Sequence, residues 1–332
     1  MKHSGKDLKK YGNLKIIDCT KCKFIHIVPL PSKKEISKLY KKKYYTKIKP
    51  QYIKKYEQEI DYWNLIFDEK LDYLETKIKR KTKSILDIGS GSGFFLKRAK
   101  EKGWTIHGIE PNKTASNYSE KIGIPVINDF FQNVEIENMK KYDAINLFDV
   151  LEHVNNPTEL LKKCHRLLKS RGIVVIEVPN DYNPLQKIVQ KSLKKEEYWL
   201  TILTKSRNYN WASKIDHVNY FNFFSLKRLL TKLRFKVIYQ QSSFPLELFL
   251  LMGDDYLKSE KIGKKIHQKR INLEMNLMID ENMRIKKEIY EKFIKNREYN
   301  GIDTRSSLFH SYPNYFLQMR NSKYEDIKQK DN

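Results

Sequence analysis

Asp87, Gly89, Gly91, Gly93 and Glu110 are the residues whose types and spacing could do chemistry together. The run Ser84-Ile-Leu-Asp-Ile-Gly-Ser-Gly-Ser-Gly-Phe-Phe-Leu carries Asp87, turns on three alternate glycines and enters a helical pattern. Glycine lacks a Cβ, so it can take positive φ and let a ligand approach the backbone closely. A strand-to-helix turn also presents free backbone N–H groups at a helix start. A second apolar run, Trp104 to Ile109, ends in Glu110. An acid about 20 residues past such glycines suits two vicinal ribose hydroxyls, because one carboxylate can accept both hydrogen bonds. The arrangement predicts an adenosine-containing cofactor on the carboxyl edge of a parallel sheet.

Spacing narrows the cofactor. A dinucleotide turn needs G-x-G-x-x-G, and the third glycine would fall on Phe94 or Leu96 in the two available registers. Gly89-x-Gly91-x-Gly93 with Asp87 before it and Glu110 after it resembles the first motif of class I S-adenosylmethionine-dependent methyltransferases. Phe148-Asp-Val-Leu-Glu-His-Val looks like the fourth-strand motif of that family, and Ser225-Leu-Lys-Arg-Leu-Leu leading into Phe235-Lys-Val like its sixth helix and strand. The resemblance implies S-adenosyl-L-methionine as cofactor. It places the Gly89–Gly93 loop beside the methionine part, Asp87 as the residue ordering that loop, and Glu110 on the ribose. Asp129 with the Phe130 backbone would read the adenine, and the Phe148 carbonyl would meet the methionyl ammonium.

The elements that must position these residues alternate. Tyr142 to Phe148 and Gly172 to Val178 are near-continuous apolar runs, as expected of strands covered on both faces. Between them, Leu160, Leu161, Cys164, Leu167 and Leu168 mark one face of a helix opened by Pro157. The expected fold class is α/β, a seven-stranded Rossmann-like sheet whose last strand, near Asn314–Arg320, is antiparallel by family resemblance. The expected organisation is a leader and covering helix at 1–80, a cofactor-binding core at 81–245 plus 312–325, and a helical insert at 246–311. In the leader, Ile60, Trp63, Phe67, Leu71 and Leu74 predict a helix over Tyr56–Ile78. In the insert, Ile271, Met275, Met278, Ile285, Ile289 and Phe293 predict a helix that caps the domain and lines the acceptor pocket, with a homodimerisation arm as the alternative.

In the family the methyl group is transferred in line, so the protein mainly positions the acceptor, and an alcohol acceptor benefits from a general base. His153, after the fourth strand, and His217, in a loop that faces the acceptor in the family, are the candidate bases. Each has a purely structural alternative, a backbone-capping or loop-bonding histidine. Asp149, Trp211, Asn219 and Tyr220 are the candidate acceptor contacts.

Composition bounds the rest. Lys and Arg number 65 against 40 Asp and Glu, a net charge of +25. Dispersed along a chain rich in Lys, Ile, Asn and Tyr, it reads as solvated surface; an RNA acceptor is the competing reading. No apolar run reaches the roughly 20 residues a membrane span needs, the N-terminus shows no apolar signal core, and three cysteines fit a reducing cytoplasm. Cys19-Thr-Lys-Cys22 has metal-ligand spacing but supplies two of four ligands, with His26 and His3 as candidate partners. The stretch from Cys19 to Pro31, followed by Leu39-Tyr-Lys-Lys-Lys-Tyr-Tyr, resembles the leader of bacterial methyltransferases of sugar and surface-polysaccharide pathways, as does the segment from Phe244 to Arg270. In many of these the leader is a zinc ribbon; the first half is missing here, so the expectation is no metal and a vestigial knuckle. The resulting expectation is O-methylation of a sugar, nucleotide sugar or glycan intermediate. The alternatives are an RNA methyltransferase and a non-catalytic cofactor-fold binding protein.

Overall fold

The computed structural model describes residues 3–11, 13–48, 50–192, 217–242, 246–256, 260–278 and 315–321. The chain opens with three short strands, β1 (Gly5–Tyr11), β2 (Leu14–Cys19) and β3 (Ile25–Val28), paired antiparallel in that order. The expected leader, helical with a degenerate knuckle, did not include these strands. Its strands hide in the sequence because lysines crowd the exposed faces, while Ile16, Ile17, Cys19 and Ile27 point inward. Helix α1 (Lys33–Lys38) follows, closed at its start by a Ser32–Glu35 capping box. A π-helical segment, Leu39–Ile48, leads on to α2 (Tyr52–Gln58) and α3 (Ile60–Lys77). The helix predicted over Tyr56–Ile78 is therefore two helices. The break falls at Glu59, whose φ of −108° leaves the helical range.

The core then runs β4 (Ser84–Ile88), α4 (Phe94–Glu101), β5 (Thr105–Ile109), α5 (Lys113–Lys121), β6 (Val126–Ile127), β7 (Tyr142–Phe148), α6 (Pro157–Leu167), β8 (Leu168–Val178) and α7 (Pro184–Ser192). After it come β9 (Asn219–Tyr220), α8 (Phe223–Lys232), β10 (Phe235–Ser242), α9 (Leu246–Leu251), α10 (Glu260–Met278) and β11 (Tyr315–Asn321). The large sheet has the order β10-β11-β8-β7-β4-β5-β6. β6, β5, β4, β7 and β8 are mutually parallel, and β11 lies antiparallel between β8 and β10. The last strand thus takes the orientation expected of it. Because β4 is the middle one of the five parallel strands, the carboxyl ends of its neighbours on both sides flank the glycine turn. Ligands of open α/β sheets sit at such an edge.

Two apolar layers hold the sheet. One face of it packs Leu86, Ile145, Leu147, Val174 and Ile176 against α6 and α8. The other packs Ile85, Ala144, Ile173 and Val175 against Phe67, Leu71 and Leu74 of α3 and Leu96 of α4. The burial of these side chains is what anchors the covering helix, at roughly 1.5–3 kcal/mol per fully buried large aliphatic. β9 leaves the core and joins β3, completing the small sheet. Of the insert, α10 lies on α3. Glu59 pairs with His267 at 3.2 Å, and Tyr62 donates to Glu274. Ile285, Ile289 and Phe293 lie outside the described residues, as does Trp211.

Candidate active site

The turn after β4 is closed onto β5, with the Gly89 and Ser90 N–H groups donating to the Ile109 carbonyl at 2.8 and 3.2 Å. Gly91 has φ +56° and Gly93 φ +80°, values that L side chains avoid. A Cβ on Gly93 would lie 2.3 Å from Ser119 Oγ, and one on Gly91 would lie 3.3 Å from the Tyr45 hydroxyl. Gly93 therefore lets α4 pack on α5, and Gly91 leaves room for the Tyr45 and Tyr52 hydroxyls.

Glu110 is buried at the end of β5. Its Oε2 accepts the Gly91 N–H at 2.9 Å and its Oε1 the Asn112 N–H at 2.7 Å. Burial pushes this carboxyl up to about 7, against the pull of those two N–H donors. A carboxylate has about four lone-pair sites, so two remain for a pair of vicinal hydroxyls. The residues present thus fit the ribose of an adenosine cofactor.

Beneath the glycine turn, Asp87 and residues of α3 and β7 line a cavity with Tyr52, Tyr56, Ser90, Ser92, Phe95 and Phe148. Asp87 Oδ1 accepts from Asn146 Nδ2 at 2.7 Å, and Asn146 Oδ1 accepts from Lys70 Nζ at 3.3 Å. Lys70 is only 1% exposed. It pairs with the buried Glu177 of β8 and lies 4.9 Å from the Phe95 ring centre and 5.2 Å from that of Phe148. Burial pushes Asp87 up to about 7, opposed by Asn146 and Lys70, and it also raises Glu177. Sequence reasoning missed Lys70 and Glu177. The available signal was a lysine on the apolar stripe of α3, next to Leu71.

Asp129 follows β6. Burial works against its charge, but bonds from the Phe130 N–H (2.8 Å), Lys41 Nζ (3.1 Å) and Asn133 Nδ2 (3.1 Å) hold its carboxyl below the usual range. Lys41 also stands over the Phe130 ring. The Phe130 N–H is thus held by Asp129 itself, so adenine recognition there requires that bond to open. Lys41 belongs to the π-helical segment, which closes over this end of the site. Asn112 Nδ2 donates to the Tyr40 carbonyl at 2.5 Å, and Tyr45 sits over Gly91.

β7 ends at Phe148. Asp149 then adopts φ +51° and donates its N–H to the Glu177 carbonyl. The following turn, Leu151–His153, points His153 at His217, with ring centres 4.8 Å apart. Glu152 Oε1 is 3.8 Å from His153 Nε2, and potential ligand atoms of Glu152, His153 and His217 all lie within 4.8 Å of one another. Asp181, buried beyond β8, feels His217 electrostatically; burial nevertheless raises its carboxyl to about 6. A row of rings, Tyr56-Tyr52-Tyr45-Tyr44-Tyr40, connects the cavity to His153. The two histidines, distant in sequence, are therefore neighbours. Asn219 is buried and donates to the Leu151 and Val154 carbonyls at 2.9 and 2.7 Å. Tyr220 packs with Ile16, Ile27 and Val218 in the small sheet. Asn219 thus faces the turn after β7 and Tyr220 the core of the small sheet.

Residues 56–240, more than half of the chain, match the methyltransferase-domain family. The chain belongs to that family. Among curated relatives, it is 31% identical over 122 residues to the ubiquinone biosynthesis O-methyltransferase of Actinobacillus pleuropneumoniae serotype 5b (strain L20), covering 33% of this chain and 52% of that protein. It is 30% identical over 127 residues to the protein of the same name from Coxiella burnetii (strain Dugway 5J108-111), covering 34% and 54%. The chain spans about half the length of the curated relatives it matches. The plantazolicin methyltransferase BamL, solved with a triazolic desmethylPZN analog and SAH, superposes with a TM-score of 0.50 at 14% identity over 87% of this chain and 96% of that one, a likeness of fold.

Proposed function

We propose that the chain methylates a hydroxyl oxygen of a small molecule, with His217 and His153 serving the acceptor. The observation that carries this reading is the histidine pair at the carboxyl end of β7, one short turn from the cavity-lining Phe148 and flanked by Glu152 and Asp181. When bound, S-adenosylmethionine supplies a methyl group already activated on sulfur. Glu110 holds the ribose hydroxyls, and the glycine turn admits the methionine part beside Asp87. His217 would accept the O–H proton of the acceptor through a ring nitrogen. Glu152 and Asp181 then stabilise the resulting imidazolium. Asp149, directly after the cavity-lining Phe148, orients the acceptor. The name O-methyltransferase carried by the curated relatives supports oxygen as the acceptor atom. The leader's likeness to sugar-pathway methyltransferases is the ground for naming a sugar or nucleotide sugar as the acceptor class.

Methyl-labelled cofactor, incubated with the full chain and a panel of nucleotide sugars, free sugars, phenols and RNA, tests the reading. The expected product is a labelled ether on a small molecule. His217→Asn should lower turnover by about 10²-fold or more while leaving S-adenosylhomocysteine affinity unchanged. Label confined to RNA, or a His217→Asn enzyme with undiminished turnover, overturns it.

A further inference from the structure

The small sheet brings together four side chains that the catalytic reading does not use. Potential ligand atoms of His3, Cys19, Cys22 and His26 all lie within 4.8 Å of one another. His3 Nδ1 is 3.3 Å from Cys22 Sγ and 3.7 Å from Cys19 Sγ. The backbone N–H of Cys22 also points at Cys19 Sγ, at 3.4 Å. In a tetrahedral zinc site, with Zn–S near 2.3 Å and Zn–N near 2.0 Å, sulfur and nitrogen ligands stand about 3.5 Å apart. The two measured separations bracket that value. A hydrogen-bond account serves less well. Nδ1 has a single lone pair or a single proton, so it cannot bond both sulfurs at full strength.

The second observation is independent and concerns His26, which is 1% exposed. Its Nδ1 lies 2.9 Å from the Ile27 carbonyl oxygen, which can only accept, so Nδ1 carries the proton. Nε2 is then left with its lone pair, and that atom is buried without a hydrogen-bond partner. A backbone carbonyl that fixes the tautomer and orients the ring is the usual support of a metal-binding histidine. An unpartnered buried nitrogen is costly unless something fills the place it faces.

We infer that His3, Cys19, Cys22 and His26 form a closed Cys2His2 site for zinc(II). Two thiolates and two neutral imidazoles neutralise the dication, and the donor set with four protein ligands matches structural rather than catalytic zinc. Binding releases the two thiol protons to solvent, and no redox change is involved. The site clips the segment before β1 to the β2–β3 turn. It also reaches toward the acceptor side of the molecule, because His26 pairs with Asn219 in the β3–β9 ladder and the Ile27 N–H donates to the Val218 carbonyl at 3.0 Å. Val218 follows His217 directly. The metal thus anchors the sheet that holds the proposed base, which replaces the expectation of a vestigial, metal-free knuckle.

The full-length protein, purified with reductant and without chelator, should carry about one equivalent of zinc by elemental analysis. Cobalt(II) exchange should give intense tetrahedral visible bands together with a near-ultraviolet thiolate charge-transfer band. His3→Ala, which lies outside the core, and Cys22→Ser should each weaken metal affinity at least about tenfold, while S-adenosylhomocysteine binding persists. Protein that binds S-adenosylhomocysteine yet holds neither zinc nor cobalt overturns the inference. So does cobalt bound without the thiolate band, which would place it at Glu152, His153 and His217. Because the readout is metal content and spectrum, failure of the acceptor reading would leave this result standing.

Discussion

Glu110 concentrates the electrostatic demand of the site in one residue. Its carboxyl is buried, holds two backbone N–H groups and is raised to about 7. Hydrogen bonds to a charged group contribute about 1.5–3 kcal/mol each. Glu110→Gln keeps the shape but loses the charge, so S-adenosylhomocysteine affinity should fall about 10- to 100-fold by calorimetry. An affinity within a factor of about two of the parent would remove Glu110 from the ribose site. Asp87 and Glu110 also set a pH dependence. Both carboxyls sit higher in the folded state, at about 7, than in the unfolded chain. The folded state therefore keeps protons that the unfolded chain releases. Their contribution to stability is present at low pH and is lost as the pH rises to about 7. The cofactor prefers the opposite state, since ribose hydroxyls donate to ionised Glu110. The thermal midpoint of the ligand-free protein should fall between about pH 5 and about pH 7, and the increment added by S-adenosylhomocysteine should grow over about pH 6 to 8. An increment that shrinks with rising pH would contradict that assignment.

At the scale of elements, α3 does more than cover the sheet. It delivers Lys70 into an apolar face, where the ammonium is compensated by Glu177 and Asn146. Removing one partner of a buried pair strands the other charge, at a cost of about 3–5 kcal/mol. Lys70→Ala should show that loss in urea unfolding, and Lys70→Met combined with Glu177→Gln should recover most of it. A small effect of Lys70→Ala would mean that Glu177 simply protonates. The π-helical segment Leu39–Ile48 is the second active element. It reaches the site through Lys41–Asp129, Tyr40–Asn112 and Tyr45 over Gly91. Saturating S-adenosylhomocysteine should slow its amide exchange markedly while leaving α6 unchanged. Equal exchange with and without ligand would separate the segment from cofactor binding.

Over the whole molecule, short surface pairs such as Lys15–Asp7, Lys102–Asp72 and Lys162–Glu159 neutralise some lysines, and the excess of 65 Lys and Arg over 40 Asp and Glu leaves a net charge of +25. Such a surface attracts any polyanion. Association with RNA should therefore be independent of sequence and fall by about 10³-fold or more between roughly 50 and 200 mM salt. Fluorescence anisotropy with two unrelated oligonucleotides would check this, and a sequence-selective, salt-resistant complex would revive the nucleic-acid reading. Among the described residues no helix is long and apolar enough to cross a membrane. The insert helix α10 rests on α3, with His267 held at Glu59 and Arg270 buried. It therefore braces the covering helix, and the described cavity is lined by other elements.

Asp87, the three glycines and Glu110 were legible from residue order because their relationship is local: a strand, a turn and the next strand lie within one βαβ unit. The same holds for β7 and β8, whose apolar runs record burial on both faces, and for α6, whose capping Asn156 and Pro157 mark its start. Other partnerships arise only when distant segments meet. His153 and His217 become neighbours because Asn219 ties β9 to the turn after β7. Lys70 meets Glu177 because α3 crosses the parallel strands. Two cysteines three positions apart suggested half a ligand set, and His3 and His26 complete it only once β1, β2 and β3 fold into one sheet. Local spacing pointed to an adenosine-containing cofactor, and the resemblance of those motifs to a known family pointed to S-adenosylmethionine. Tertiary packing decided which charges are buried together, because the meeting of distant segments is a property of the folded chain that residue order does not record.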